Sequence, residues 1–189
     1  MNRRLERPSV FLTPMRLRKI KLRKILKRPK RRKMKAKKEI NDAFRRIVIL
    51  TNYRERCEQE LRERLVTREK FSEDVFEAAL KKAKKYDIVN DERYAQLYSF
   101  SKTQSCRGVN GVKRHLASMK IDYKDMPSVV ETLNEAQTKE YSIALDYLKR
   151  HPSRSKDAFS GGVRKLISRG FSNSIAIKVT KEWLQDFAV

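Results

Sequence analysis

Glycine and proline are scarce, five of each in 189 residues. That is too few for the regular turns of an all-β domain, so the composition favours helices. The two cysteines, Cys57 and Cys106, cannot form a disulfide framework and lie at no metal-ligand spacing. They read as small apolar residues in a reducing cytoplasm. The only histidines, His115 and His151, have no nucleophile or carboxylate at a recognisable spacing, and no phosphate-cradling glycine loop is present. The expectation is no catalytic residue, no cofactor and no metal. Apolar runs such as Ile47-Val48-Ile49-Leu50 fall far short of the roughly 18 residues that span a bilayer. No secretory apolar stretch follows the basic start, whose Arg-rich character only loosely resembles an organelle transit peptide.

Negative charge is the next shortage. Lys and Arg number 47 against 23 Asp and Glu, a net charge of +24, which calls for a polyanionic partner. Residues 1–40 hold 18 of the basic residues against Glu6 and Glu39 alone, so +16 sits there and +8 in the rest. In the run Lys27-Arg28-Pro29-Lys30-Arg31-Arg32-Lys33 like charges repel and the proline breaks a helix. Arg28, Lys30, Arg31, Arg32 and Lys33 are therefore expected in a basic arm, flexible or partly helical, that tethers the chain non-specifically to nucleic acid. Met15 to Leu26 also has the spacing of a basic amphipathic helix.

From Ala43 onward an internal period appears. Phe71, Ile121 and Phe171 are 50 residues apart, and in the same register stand Ala79, Val129 and Val179, then Ala83, Leu133 and Trp183. Offsets of 8 and 12 place each set on one helix face. Leu65, Leu116 and Leu166 match upstream at 51 and 50, which implies one extra residue in the first connection. At the offset of 4 the middle copy has Asp125 in place of an apolar residue, and Met126 next to it can fill the gap. Each period predicts three helices. The leading ones run over 43–52, 91–103 and 136–150, the second over 55–69, 108–119 and 158–169, and the third over 72–86, 124–135 and 172–187. Ser72, Asp122 and Ser172 are candidate caps for the third helices. The expected architecture is all-α: three tandem three-helix repeats of about 50 residues, over 41–88, 89–136 and 137–189, stacked into an elongated, curved array.

On these residues the chain resembles the RecX regulatory proteins, which bind the RecA recombination filament. The stretch from Arg54 to Leu65, with Glu60-Leu61 and Leu65, is similar to the family's first signature. Asp91-Glu92-Arg93-Tyr94-Ala95 resembles its most recognisable motif. Arg107-Gly108 with Val112 to Leu116, and Arg169-Gly170-Phe171-Ser172, resemble the openings of its later repeats. Three departures stand out: Cys57 where the family usually has Ser, Asn90 before Asp91, and Glu69-Lys70 where it has Arg-Gly. The resemblance implies a monomer, without chemistry of its own and without a membrane partner. It would lie in the groove of a RecA filament on single-stranded DNA, or stop its growing end, and lower recombinase, ATPase and coprotease activities in DNA repair and the SOS response.

Outside the arm, the basic residues expected to meet the filament or its DNA are Lys102, Arg107, Lys113, Arg114 and Lys120, then Arg154, Lys156, Arg164, Lys165 and Arg169. The rival reading is a DNA-binding helix-turn-helix over Val163 to Val179, with Ser172, Asn173, Ser174 and Lys178 reaching a groove. Against it, the equivalent turns carry Glu73-Asp74 and Asp122 with Asp125, carboxylates that would repel phosphate.

Overall fold

The computed structural model describes residues 35–187. The tether residues Arg28 to Lys33 and the stretch Met15 to Leu26 lie outside them. Among the described residues the chain is all-helical, with no strand. The helices are α1 (Lys35–Tyr53), α2 (Glu58–Arg62), α3 (Glu73–Lys85), α4 (Asp91–Gln104), α5 (Val109–Ser118), α6 (Pro127–Thr138), α7 (Glu140–Arg150), α8 (Ala158–Arg169) and α9 (Asn173–Phe187). No helix among them is long and apolar enough to cross a membrane.

The buried apolar residues gather into three clusters. The first joins α1 through Phe44 and Ile47, α2 through Leu61, and α3 through Phe76 and Leu80. The second is built on Tyr94, Val112, Leu116, Val129 and Leu133, and the third on Ala144, Leu148, Leu166, Val179 and Trp183. Residues of the same period face inward alike. Leu65, Leu116 and Leu166 are fully buried, as are Ala79, Val129 and Val179. Each such leucine contributes roughly 1.5–3 kcal/mol. Met126 packs against the second cluster, filling the place Asp125 leaves.

The turns between second and third helices share one hydrogen bond. Phe71 N donates to Leu65 O at 3.1 Å, Ile121 N to Leu116 O at 3.0 Å and Phe171 N to Leu166 O at 3.1 Å. Lys70, Lys120 and Gly170, 50 residues apart, take positive φ of 60°, 58° and 94°, a left-handed helix end that frees the chain to reverse. The extra residue of the first connection is absorbed by a π-helical turn over Glu63–Arg68, the geometry a one-residue insertion produces. Of the three positive-φ positions Gly170 must be glycine, because a Cβ there would come within 2.3 Å of Gly111 Cα, and its spatial neighbour Gly108 is held to glycine in the same way, 2.3 Å from Gly170 C. Arg169 O and Gly170 O accept from Gly108 N and Gly111 N, so the carbonyl end of α8 abuts the amide end of α5.

The second helices start in an unexpected way. Cys57 and Gly108, the residues before α2 and α5, make no side-chain cap. Instead Glu58 N donates to Asp91 Oδ1 and Val109 N to Glu140 Oε1, both at 2.9 Å. The carboxylates come from the first residues of α4 and α7, more than thirty positions along the chain. The last of the three second helices, α8, is capped locally instead: Asp157 accepts from Ser160 N at 3.0 Å. The three departures from the resembled family acquire roles here. Cys57 leaves its cap to Asp91, and Asn90 caps α4 by accepting from Arg93 N. Glu69 takes Arg46 Nε at 2.8 and 2.9 Å.

Several expected boundaries move. The leading helix placed at 136–150 starts at Glu140, and residues 136–138 belong to α6; the break at Lys139 lets Glu140 turn toward α5. The third helix placed at 124–135 starts at Pro127, because Asp122 caps a short 3-10 turn over Tyr123–Asp125 instead. Ser172 caps as expected, accepting from Ile175 N, whereas Ser72 makes no side-chain cap. The first helix begins at Lys35, eight residues early, and Ile40 already packs on the first cluster.

Burial raises the Glu140 carboxyl above its ordinary value, while the Val109 amide favours the anion. Glu140→Ala should lose about 1–3 kcal/mol in denaturant unfolding, because it strands the buried Val109 amide, and Glu140→Gln should lose less. A raised folded value means that the Glu140 contribution fades as pH rises through it. The Gln variant should therefore gain on wild type as pH rises above the ordinary carboxyl value. An Ala variant as stable as wild type would show that the amide finds another acceptor.

Candidate partner-binding surface

The acidic residues are unevenly used. Apart from Lys149–Asp186, the ion pairs among the described residues join positions between 46 and 93. Arg62 there meets Glu58, Glu73 and Glu77 together, and Arg93 meets Glu55 and Asp87. The first helices thus engage many of their arginines internally. None of the ten basic candidates forms an ion pair with a described residue.

The ten nevertheless divide into separate sites. Lys102 and Arg107 flank an aromatic stack at the joint of α4 and α5. The Tyr98 and His115 rings lie 4.0 Å apart at 14°, Tyr94 OH is 3.0 Å from His115 Nε2, and Lys102 Nζ sits 5.5 Å from the Tyr98 ring centre. Arg107 Nε is buried without a hydrogen-bond partner among the described residues. Burial holds His115 below its ordinary value; Glu60 opposes this, and Arg107, Lys102 and Arg54 add to it. The stack escaped the sequence reading, although Tyr94, Tyr98 and Lys102 follow one another at helical i,i+4 spacing.

Lys113, Arg114 and Lys120 come together around one open cavity of about 530 Å³ beside the end of α5. Lys124, which was not among the expected residues, joins them, as does Tyr123. A lysine two residues past a cap carries no local signal of this; the turn brings it there.

The last group behaves differently. Arg154 and Lys156 are exposed in the connection between α7 and α8, and Arg164 is exposed on α8, its Nε donating back to Ser160 O. Lys165 is committed to the fold, since its Nζ donates to His151 O at 2.8 Å and to Pro152 O at 3.1 Å. Arg169 is committed as well: Nε donates to Tyr147 OH at 3.0 Å and the guanidinium lies 4.6 Å from that ring's centre. In the segment resembling a helix-turn-helix, the Gly170 turn is closed against α5. Lys178 lies 5.2 Å from the Tyr141 ring centre, while Asn173 and Ser174 remain exposed.

The described residues bring together no group of three or more side chains able to hold a metal ion. Cys57 is buried, and burial pushes its thiol up to about 11, away from the reactive thiolate.

If burial under Tyr98 depresses His115, Tyr98→Ala should move the His115 titration upward toward its ordinary value, read from the imidazole proton resonances. An unmoved midpoint would place the cause outside the stack.

No protein-family model matches the chain, and no curated protein sequence matches it. Solved structures do. A crystal structure of RecX from Lactobacillus salivarius aligns with 77% of this chain and 97% of its own at 18% identity, with a TM-score of 0.56. A crystal structure of a regulatory protein RecX aligns with 85% of each chain at 18% identity, with a TM-score of 0.53. The described residues therefore share the all-helical fold of these RecX structures.

Proposed function

We propose that the chain is a RecX-type regulator that acts in the cytoplasm on the RecA filament. Bound to the filament on single-stranded DNA, as a monomer without catalytic activity, it occludes the groove or caps the end. Recombinase, ATPase and coprotease activities fall as a result, in DNA repair and the SOS response. The observation that supports this reading most is the RecX fold, shared over 77% or more of the chain. In this reading the three clusters are three units, 41–88, 89–136 and 137–189, stacked as an elongated array suited to an extended partner. The filament or DNA side carries the cations left without carboxylates, Lys102, Arg107, Lys113, Arg114, Lys120, Arg154, Lys156 and Arg164. Lys165 and Arg169 hold backbone and Tyr147, and contribute to the surface only through the shape they maintain.

Co-sedimentation with preformed RecA filaments, at salt high enough to suppress binding to bare DNA, tests it. Wild type should pellet with the filament, and the triple variant Lys113→Glu, Arg114→Glu, Arg164→Glu should bind at least about tenfold more weakly with its helicity intact. Exposed ion pairs contribute roughly 0.2–1 kcal/mol each, and reversal turns each into a repulsion. Undiminished binding overturns the assignment of this surface. No filament binding, together with sequence-selective duplex binding, would favour the helix-turn-helix reading.

The arm supplies a separate, sequence-independent term. If about 8 of its charges displace counterions from single-stranded DNA, log K against log[salt] steepens by roughly 6. Removing residues 1–34, which leaves α1 whole, should flatten the slope by that amount. An unchanged slope would show that the tether lies elsewhere.

A further inference from the structure

The two joints between successive groups of helices are built differently. Cys57 and Gly108 share a register at the offset of 51, as do Glu60 and Gly111, while Lys120 and Gly170 stand 50 apart. At the second joint the glycines let backbone meet backbone. Gly108 N donates to Arg169 O at 3.2 Å and Gly111 N to Gly170 O at 3.1 Å, beside the bond from Val109 N to Glu140. A Cβ on Gly108 would stand 2.3 Å from Gly170 C, and one on Gly111 3.0 Å from Arg169 O. Cys57 and Glu60 carry those Cβ atoms, so the start of α2 cannot approach the Lys120 turn in the same way. Among the described residues no backbone hydrogen bond joins the first group to the second.

Side chains join them instead. Asp91 Oδ1 accepts from Glu58 N at 2.9 Å, Cys57 is buried in the second cluster, and the Glu60 and Arg54 charges reach Tyr94. Arg93 spans the rest. Its Nε donates to Glu55 Oε1 at 3.1 Å, its Nη1 to Asp87 Oδ2 at 2.7 Å and its Nη2 to Asp87 O at 3.0 Å. Asp87, at a φ of 53°, lies in the connection between α3 and α4. That connection runs over residues 86–90, whereas Lys139 alone separates α6 from α7. The first joint therefore combines a longer covalent link, no backbone lock and one arginine that holds both sides. Hinges absorb their rotation in a few loop or helix-terminal residues, and residues 86–90 supply them. The close glycine contact of the second joint leaves no room to slide.

We propose that the first joint is a hinge: α1 to α3 swing about the bond between Asp91 and Glu58, with Arg93 as the latch, while the middle and last groups move as one rigid body. The hinge goes beyond the proposed function and does not rest on it. Within that reading, it keeps the basic middle and last surfaces in fixed register while the first group follows the shape of an extended partner.

The test uses the full chain alone. Lys81, Glu131 and Lys181 are exposed and stand 50 residues apart, so spin labels at these positions compare equivalent spans across the two joints. A ketone-bearing amino acid carries each label, which leaves Cys57 and Cys106 in place. Pulsed electron–electron distance measurements should give a distribution about twice as broad for 81–131 as for 131–181, as a hinge at one joint requires. Arg93→Ala should broaden 81–131 further, with 131–181 and helicity unchanged. In wild type, raising salt to about 1 M, where the Debye length falls to about 3 Å, should also broaden 81–131. Equal widths across the two joints overturn the hinge, as does an 81–131 distribution left unchanged by Arg93→Ala, or by salt should that variant not fold. Because no recombinase is present, failure here leaves the filament reading standing, and loss of filament binding leaves the hinge standing.

Discussion

The first amides of α2 and α5 have no acceptor in their own helices, and each is satisfied by a carboxylate from the first residue of a helix that begins the next cluster. A buried amide without a partner costs about 1–3 kcal/mol, so this requirement ties successive groups of helices at defined points. It sets where α4 and α7 begin, breaking the chain at Lys139 and bringing Glu140 inward. Asp91 does this inside the motif Asp91-Glu92-Arg93-Tyr94-Ala95, in which Arg93 binds Glu55 and Asp87 and Tyr94 reaches His115. A stretch that reads as a family signature is thus a joint between helices. The last described group closes its second helix with its own Asp157.

A second consequence concerns charge. The carboxylates of the first group are spent on arginines of the same group, above all Glu58, Glu73 and Glu77 around Arg62. Glu140 is buried as a cap and Asp122 is engaged at a turn. The ten basic candidates from Lys102 onward form no ion pair with a described residue, and the backbone contact of Gly108 and Gly111 with the Gly170 turn fixes the middle and last basic surfaces against each other. The proposed partner surface is in this sense what remains after the fold has used its acids.

Much of this was legible in the sequence because the periodic apolar positions are local. Leu65, Leu116 and Leu166, and Ala79, Val129 and Val179, announce their burial through helical offsets alone. The one-residue excess before Phe71 was visible as a spacing, but its absorption in a π-helical turn depends on Leu65 and Phe71 both staying in place. The trans caps were not legible, since a carboxylate more than thirty residues away reads locally as an ordinary first-turn acid. Of the basic residues, sequence alone could not separate Lys165 and Arg169, held by His151, Pro152 and Tyr147, from those free to bind. Nor did it mark Lys124 or the Tyr98–His115 stack, which tertiary contact creates.

The central proposal is that the partner meets the middle and last surfaces, whose basic candidates have no ion pair with a described residue, and leaves the ion-paired first one in water. Hydrogen exchange of the chain, free and bound to a RecA filament on single-stranded DNA, reads this directly. The account predicts added protection across residues 102–124 and 154–164, with α3 exchanging as in the free protein. Protection centred on α3, with residues 102–124 unchanged, would contradict it.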